Sequence, residues 1–190
     1  RAYTSTYQTQ TMPVDVWNLH IFILQEVFGD WGAGIPAGLP NNSSGTIYTP
    51  LQNKDFSIAW SQIVAFRTWM KNHDQQNKPL IITEYGVLLS DWYSSDFSSQ
   101  HVRDDFMYPS FNYFLNQTNA SLGYPSDGNR LVQRWIWYSL DDDSLGTYGQ
   151  NNNGNLFYSG YATQPMGITT LGGYWRQYVA PLPTDSGSHY

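Results

Sequence analysis

The sequence predicts an α/β fold built on a parallel sheet, and three observations carry that expectation. Leu80-Ile81-Ile82 is an apolar run with no polar face, which reads as a strand buried on both sides. Between Val14 and Glu84 a strand candidate, a long loop, a helical stretch and that buried strand follow one another, the pattern of a βαβ unit. A third strand, Leu131 to Leu140, arrives after a second helical stretch.

The elements follow in order. Residues 1–12 are polar with spaced Tyr3 and Tyr7, the pattern of a helix tail. Pro13 precedes the first strand, Val14 to Phe22, with Val14, Val16 and Leu19 as its core positions and Trp17, Asn18 and His20 towards its C-terminal end. Residues 27–54 are rich in Gly, Pro, Asn and Ser and form a loop of a length usually tied to function. Trp31 in that loop either lines a cleft or pins the loop down. Asp55 is a helix N-cap, and Phe56, Ala59, Trp60, Ile63, Phe66, Trp69 and Met70 recur at helical spacing as one apolar face. Pro79 suits the start of the second strand. A loop over 85–100 carries Trp92, Tyr93 and Phe97. A helix near 101–116 is interrupted by Pro109, which predicts a kink or a late start. On the third strand Trp135, Trp137 and Ser139 share one face, and Ile136 and Tyr138 the other. Asn155 to Tyr158 suits a short extra strand, Thr169 to Val179 a last helix, and 181–190 a frayed tail.

Composition narrows the function. The 190 residues suffice for one domain with a real core. Aromatics make up 17% and charged residues only 13%, a balance that suits flat, partly apolar ligands such as sugar rings, although most of the rings are needed as core. The net charge of -6, with no basic run, argues against a nucleic-acid partner. No apolar run is long enough to span a membrane. With no cysteine, thiol chemistry and disulfides are excluded. Glycosylation triplets at Asn41, Asn42, Asn116 and Asn119 are of the kind that arise by chance in so Asn/Ser/Thr-rich a chain. The chain opens on Arg1 rather than Met, which suggests a processed product or a fragment.

The chemistry gathers at three strand ends: Trp17-Asn18-Leu19-His20, Thr83-Glu84-Tyr85-Gly86 and Trp135-Ile136-Trp137. A carboxylate ending a buried parallel strand is costly unless it works or is paired. Glu84 is therefore either functional or bonded to backbone there. Glu26 is the only other Glu, and it reads as a loop or surface residue more readily than as an acid. The Asp141–Asp143 run is either a solvated turn or a Ca²⁺ site.

In order and spacing these three strand ends resemble the last three strands of retaining glycoside hydrolases with a (β/α)₈ barrel, the superfamily whose catalytic Glu residues sit on the fourth and seventh strands. The resemblance runs from about Val14 to Ala180. It implies a TIM-barrel type α/β fold in which residues 1–180 supply about three β/α units. It implies hydrolysis of O-glycosidic bonds in a polysaccharide or oligosaccharide with retention, without a cofactor or metal, at a secreted or cell-surface location. By position Glu84 matches the nucleophile, His20 the sixth-strand cleft residue and Trp137 the eighth-strand platform, with Trp17, Asn18 and Tyr85 beside the substrate. One departure is large: the superfamily's acid/base lies in an Asn-Glu pair, and no Asn-Glu occurs in this chain. The missing group is expected on an N-terminal half of the same protein or on another copy. The alternative is a carbohydrate-binding or self-assembling structural protein without turnover.

Overall fold

The computed structural model describes residues 13–30, 32–40, 43, 45–142, 154–158 and 167–182. The expectations for residues 1–12, Trp31, Asn41, Asn42, Asp143 and the tail beyond 182 lie outside the described residues. No described helix is long and apolar enough to cross a membrane.

Three strands form one parallel sheet in the order β1 (Trp17–Ile21), β2 (Leu80–Tyr85), β3 (Arg134–Trp137). The helices are α1 (Phe56–Asn72), α2 (Ser99–Val102), α3 (Tyr108–Asn116) and α4 (Thr170–Val179). Helix α1 begins where the sequence places it, with the Asp55 carboxylate accepting from the Ser57 amide at 2.9 Å. Thr169 caps α4 in the same way. Between α2 and α3 the chain widens into a π-helical turn, Arg103–Met107, closed by the Tyr108 amide donating to the Arg103 carbonyl. Pro109 explains it: with no N–H at that position, the α-helical bonding cannot run through unbroken.

The helices cover one face of the sheet. Leu80, Ile82, Tyr85 and Trp137 point into that layer and meet Phe106, Met107, Phe111 and Phe114, all buried. The rings pack edge to face: Tyr85 meets Trp137 at 5.3 Å and Phe114 at 5.2 Å between centroids, a geometry favoured by the ring quadrupoles. At the N-terminal ends of the strands Arg67 of α1 is fully buried, in a place the hydrophobic stripe did not foretell. It donates to the Leu131 carbonyl at 2.6 Å, the Lys78 carbonyl at 3.0 Å and Gln133 Oε1 at 2.6 Å, tying α1 to the starts of β2 and β3. Burial pushes its guanidinium down to about 10, while Asp127 acts the other way.

Several expectations are corrected. Residues 1–180 do not supply three β/α units of a (β/α)₈ barrel. What forms is a mixed α/β fold with a small three-stranded sheet, whose outer strands have no further neighbour among the described residues. Closure into a barrel needs matched strands and a regular stagger; here the strands have 5, 6 and 4 residues, and the register breaks on both sides of β2. Among the described residues the Leu80–Ile82 strand is covered on one face only; Ile81 is half-buried and Ile136 on β3 is 61% exposed. The first strand starts later than expected, and Val16 lies outside it and exposed. Trp60 and Trp69 sit on the flanks of α1, not in its core face, which runs through Phe56, Ala59, Ile63, Arg67 and Met70. Asn155–Tyr158 forms no named strand; Phe157 makes one antiparallel bridge to Ile168.

Candidate functional site

The site is made by an irregularity in β2. Leu80 and Ile82 face the helices, so strict alternation would turn residue 84 inward as well. The register instead slips. Leu19 pairs with Ile82, but the next residue of β1, His20, pairs with Glu84, which leaves Thr83 as an extra residue on β2. The β3 side slips at the same place: Ile82 pairs with Trp135 and Tyr85 with Trp137. This is a β-bulge, which re-aims the side chains that follow it. Beyond it Tyr85 faces the helices, and Glu84 stays on the uncovered face with His20.

Asn18 satisfies the bulge. Its side-chain oxygen accepts from the Thr83 amide at 3.3 Å and from the Thr83 hydroxyl at 2.8 Å. The extra residue's backbone donor is thus bonded locally. Gly86 ends the motif for a steric reason: a Cβ there would lie 2.5 Å from the Tyr138 carbonyl oxygen. The strands approach closely at this point, with the Tyr138 amide donating to the Tyr85 carbonyl at 2.8 Å.

At the C-terminal end of the sheet His20 Nδ1 stands 3.4 Å from Glu84 Oε2, with side chains 52% and 42% exposed. So open an ion pair contributes at most about 1 kcal/mol to stability. Folding alone is therefore a poor reason for the bulge that creates it, and the exposure leaves both groups open to a ligand. Asn53 fixes the two loops that leave this end. Fully buried, it donates to the Ile23 carbonyl at 2.9 Å and accepts from the amides of Leu88 at 3.1 Å and Leu89 at 3.3 Å.

On the β3 side Tyr138 and Asp142 are bonded to one another. The Tyr138 hydroxyl donates to Asp142 Oδ2 at 2.6 Å, and its ring meets Phe22 edge-on at 5.6 Å. That hydrogen bond, with burial and the negative charges of Asp142 and Glu84, pushes the Tyr138 phenol up to about 12. Asp142 is itself positioned: its amide donates to Ser139 Oγ at 2.9 Å and its carbonyl accepts from Asn155 Nδ2 at 2.7 Å.

Of the residues read from the sequence, His20 and Glu84 come together and Asn18 supports them through Thr83. The others lie elsewhere. Tyr85 is 1% exposed, with its hydroxyl 3.3 Å from Ser110 Oγ; burial holds its phenol well above the ordinary range. Trp137 is buried among the helix-side rings, and its indole N–H donates to the Gly154 carbonyl at 2.7 Å. Trp17 packs edge-on against Phe66 and Trp69 at the outer edge of β1. Glu26 accepts from the Thr46 amide at 3.1 Å and serves its loop. Tyr138 and Phe22 are the residues the motifs missed, and Asp142 was read only as part of the Asp141–Asp143 run, as a solvated turn or a Ca²⁺ site. Strand alternation already put Tyr138 on the face of Ile136, opposite Trp137, and that was the available signal. No family model, no curated protein and no solved structure matches this chain.

Proposed function

We propose that this chain is a glycoside hydrolase that cleaves O-glycosidic bonds of a polysaccharide or oligosaccharide with retention, with Glu84 as the nucleophile. The observation that carries the reading is the bulge in β2, which brings Glu84 out of the core, 3.4 Å from His20, at the C-terminal end of a parallel sheet. Retention needs an ionised carboxylate able to reach the anomeric carbon, with a second carboxyl group about 5–5.5 Å away to protonate the departing oxygen. Glu84 suits the first role: it is held by strand backbone, open to solvent on one side and paired with an imidazole. His20 and Tyr138 offer hydrogen-bonding groups to sugar hydroxyls, and Phe22 an apolar ring beside them. Proton NMR of the first product formed from an aryl glycoside tests the reading. Release of the anomer with the substrate's own configuration supports it; inversion, or no hydrolysis of any glycoside offered, refutes it.

A second reading, carbohydrate binding without turnover, has its own support. Trp92 is 60% and Tyr93 is 49% exposed, in the loop that follows β2, and exposed rings of this kind serve as stacking surfaces for sugars. Calorimetric binding of an oligosaccharide that the protein never cleaves selects this reading over the first.

A further inference from the structure

We infer that Asn18 is a positioning residue for the nucleophile: through its side-chain oxygen on Thr83 it sets the direction from which Glu84 meets the anomeric carbon. The assignment rests on the retaining-hydrolase reading above and gives Asn18 a role other than contact with the sugar.

The Glu84 carboxylate is loosely held by its own contacts. Among the described residues His20 is its one hydrogen-bonding or ion-pair partner, at 3.4 Å, with both side chains about half exposed. A pair so open to water does little to fix a carboxylate. Its aim is therefore set by the backbone that carries it, and the backbone just before it is the irregular part of β2. Thr83 has no partner residue on β1, because Leu19 pairs with Ile82 and His20 with Glu84. A residue left out of the ladder in this way has no pairing to hold its peptide plane.

Asn18 supplies that hold. Its Oδ1 accepts from the Thr83 amide at 3.3 Å and from the Thr83 hydroxyl at 2.8 Å. A backbone amide only donates, so it is the oxygen of Asn18, not its nitrogen, that faces Thr83. Two bonds to one atom fix both the peptide plane and the side-chain rotamer of Thr83. The peptide bond joins Thr83 directly to Glu84, so a swing of the first moves the second. Asn18 and His20 lie two residues apart on β1 and share a face. One strand thus grips two consecutive residues of its neighbour, Thr83 through Asn18 and Glu84 through His20. A site carried on strands in this way is set more firmly than one carried on loops.

In the step concerned a Glu84 carboxylate oxygen forms a bond to the anomeric carbon. The bond from that carbon to the departing oxygen breaks, and its electron pair leaves with that oxygen. Such an attack tolerates little misalignment, since a displacement of about 1 Å costs about 10²-fold. A residue that only aims the nucleophile acts on the rate of this step and leaves the affinity for sugar alone.

The test is a double-mutant cycle on the full chain: Asn18→Ala, Thr83→Val and the two together, with Thr83→Ser as the conservative variant. The substrates are dinitrophenyl glycosides of glucose, galactose and mannose. A dinitrophenolate departs without a proton, so its first release reports attack by Glu84 and needs no acid. Rates are taken at a temperature where melting curves show each variant folded. The assignment expects Asn18→Ala to lose about 10–10²-fold in the rate of first release at saturating substrate, with the half-saturating concentration unchanged. Thr83→Val loses less, since the amide keeps its bond, and Thr83→Ser recovers the wild-type rate. The double variant loses no more than Asn18→Ala, because the hydroxyl then has no partner left to lose. An unchanged rate in Asn18→Ala, a weakened affinity at unchanged rate, or losses that multiply in the double variant overturn the assignment while the wild type's retaining hydrolysis still stands. Should Asn18→Ala fail to fold, equal rates in Thr83→Val and Thr83→Ser overturn it and a slower Thr83→Val supports it. If the wild type releases no dinitrophenolate from any of these glycosides, the hydrolase reading fails and this assignment with it.

Discussion

His20 and Glu84 are direct cross-strand partners, with Nδ1 and Oε2 3.4 Å apart, because β2 carries one residue more than β1 can pair. That residue is Thr83, and Asn18 holds it in place. The candidate site is thus a consequence of strand register. Neither partner depends on a long loop for its position.

Deleting Thr83 removes the extra residue and restores plain alternation. Glu84 then follows Ile82 directly and stays on the face of His20, and Tyr85 stays in the helix-facing layer. The expected outcome is a loss of only about 1–2 kcal/mol in stability, from the hydrogen bonds between Asn18 and Thr83. Asn18→Ala leaves the register alone and costs about 1–2 kcal/mol. Urea unfolding followed by tryptophan fluorescence measures both.

Gly86→Ala places a methyl group 2.5 Å from the Tyr138 carbonyl, which belongs to backbone and has little room to yield. A loss of about 1–3 kcal/mol follows from such overpacking. Gly128→Ala is a contrasting control, since open space surrounds that position and its cost is one of backbone strain alone, φ being 58°. Thermal unfolding of the two variants separates steric from conformational loss.

Arg67→Lys is not a conservative change at this position. The guanidinium satisfies two carbonyls and the Gln133 amide oxygen at once, and an ammonium cannot reproduce that fork. The expected loss is about 2–4 kcal/mol, with Arg67→Ala at least as large, because buried carbonyls lose their donors. Chemical unfolding curves of the three proteins check it.

Tyr138 titrates late, at about 12, chiefly because its proton is held by Asp142. A folded-state value raised above the unfolded one means that this contribution to stability is complete below pH 10 and fades as the pH rises through 12. The phenolate difference spectrum between wild type and Tyr138→Phe is expected to develop around pH 12. In Asp142→Asn the same difference moves towards 10. A Tyr138 signal already complete at pH 10 in the wild type contradicts the bond to Asp142.

Much of the fold was legible in the residues. The Asp55 cap, the 17-residue helix that follows it, the Leu80–Tyr85 strand and the interruption at Pro109 all left local signals, and local signals survive without tertiary context. The extent of the sheet did not, because it depends on pairings between distant segments. A run of apolar residues reads alike whether one face of its strand is covered or two, so Leu80-Ile81-Ile82 looked like the interior of a larger sheet. The site was half legible. Glu84 and His20 announced themselves as polar residues ending apolar strands, but the bulge that joins them has no sequence signature of its own. Trp137 and Tyr85 looked like ligand platforms because aromatics beside a carboxylate invite that reading; their inward direction follows from strand alternation and from the slip at Thr83. The bond between Tyr138 and Asp142 became visible only in the structure.

The central claim is that Glu84 attacks the anomeric carbon, and one measurement meets it directly. The intact protein is incubated with fluorinated dinitrophenyl glycosides that form long-lived glycosyl esters, then digested and mapped by mass spectrometry. The account predicts a single added fluoroglycosyl group, on the peptide that holds Thr83-Glu84-Tyr85-Gly86 and on the Glu84 side chain, with loss of activity in step with labelling. A label on any other residue, with Glu84→Gln still active, contradicts it.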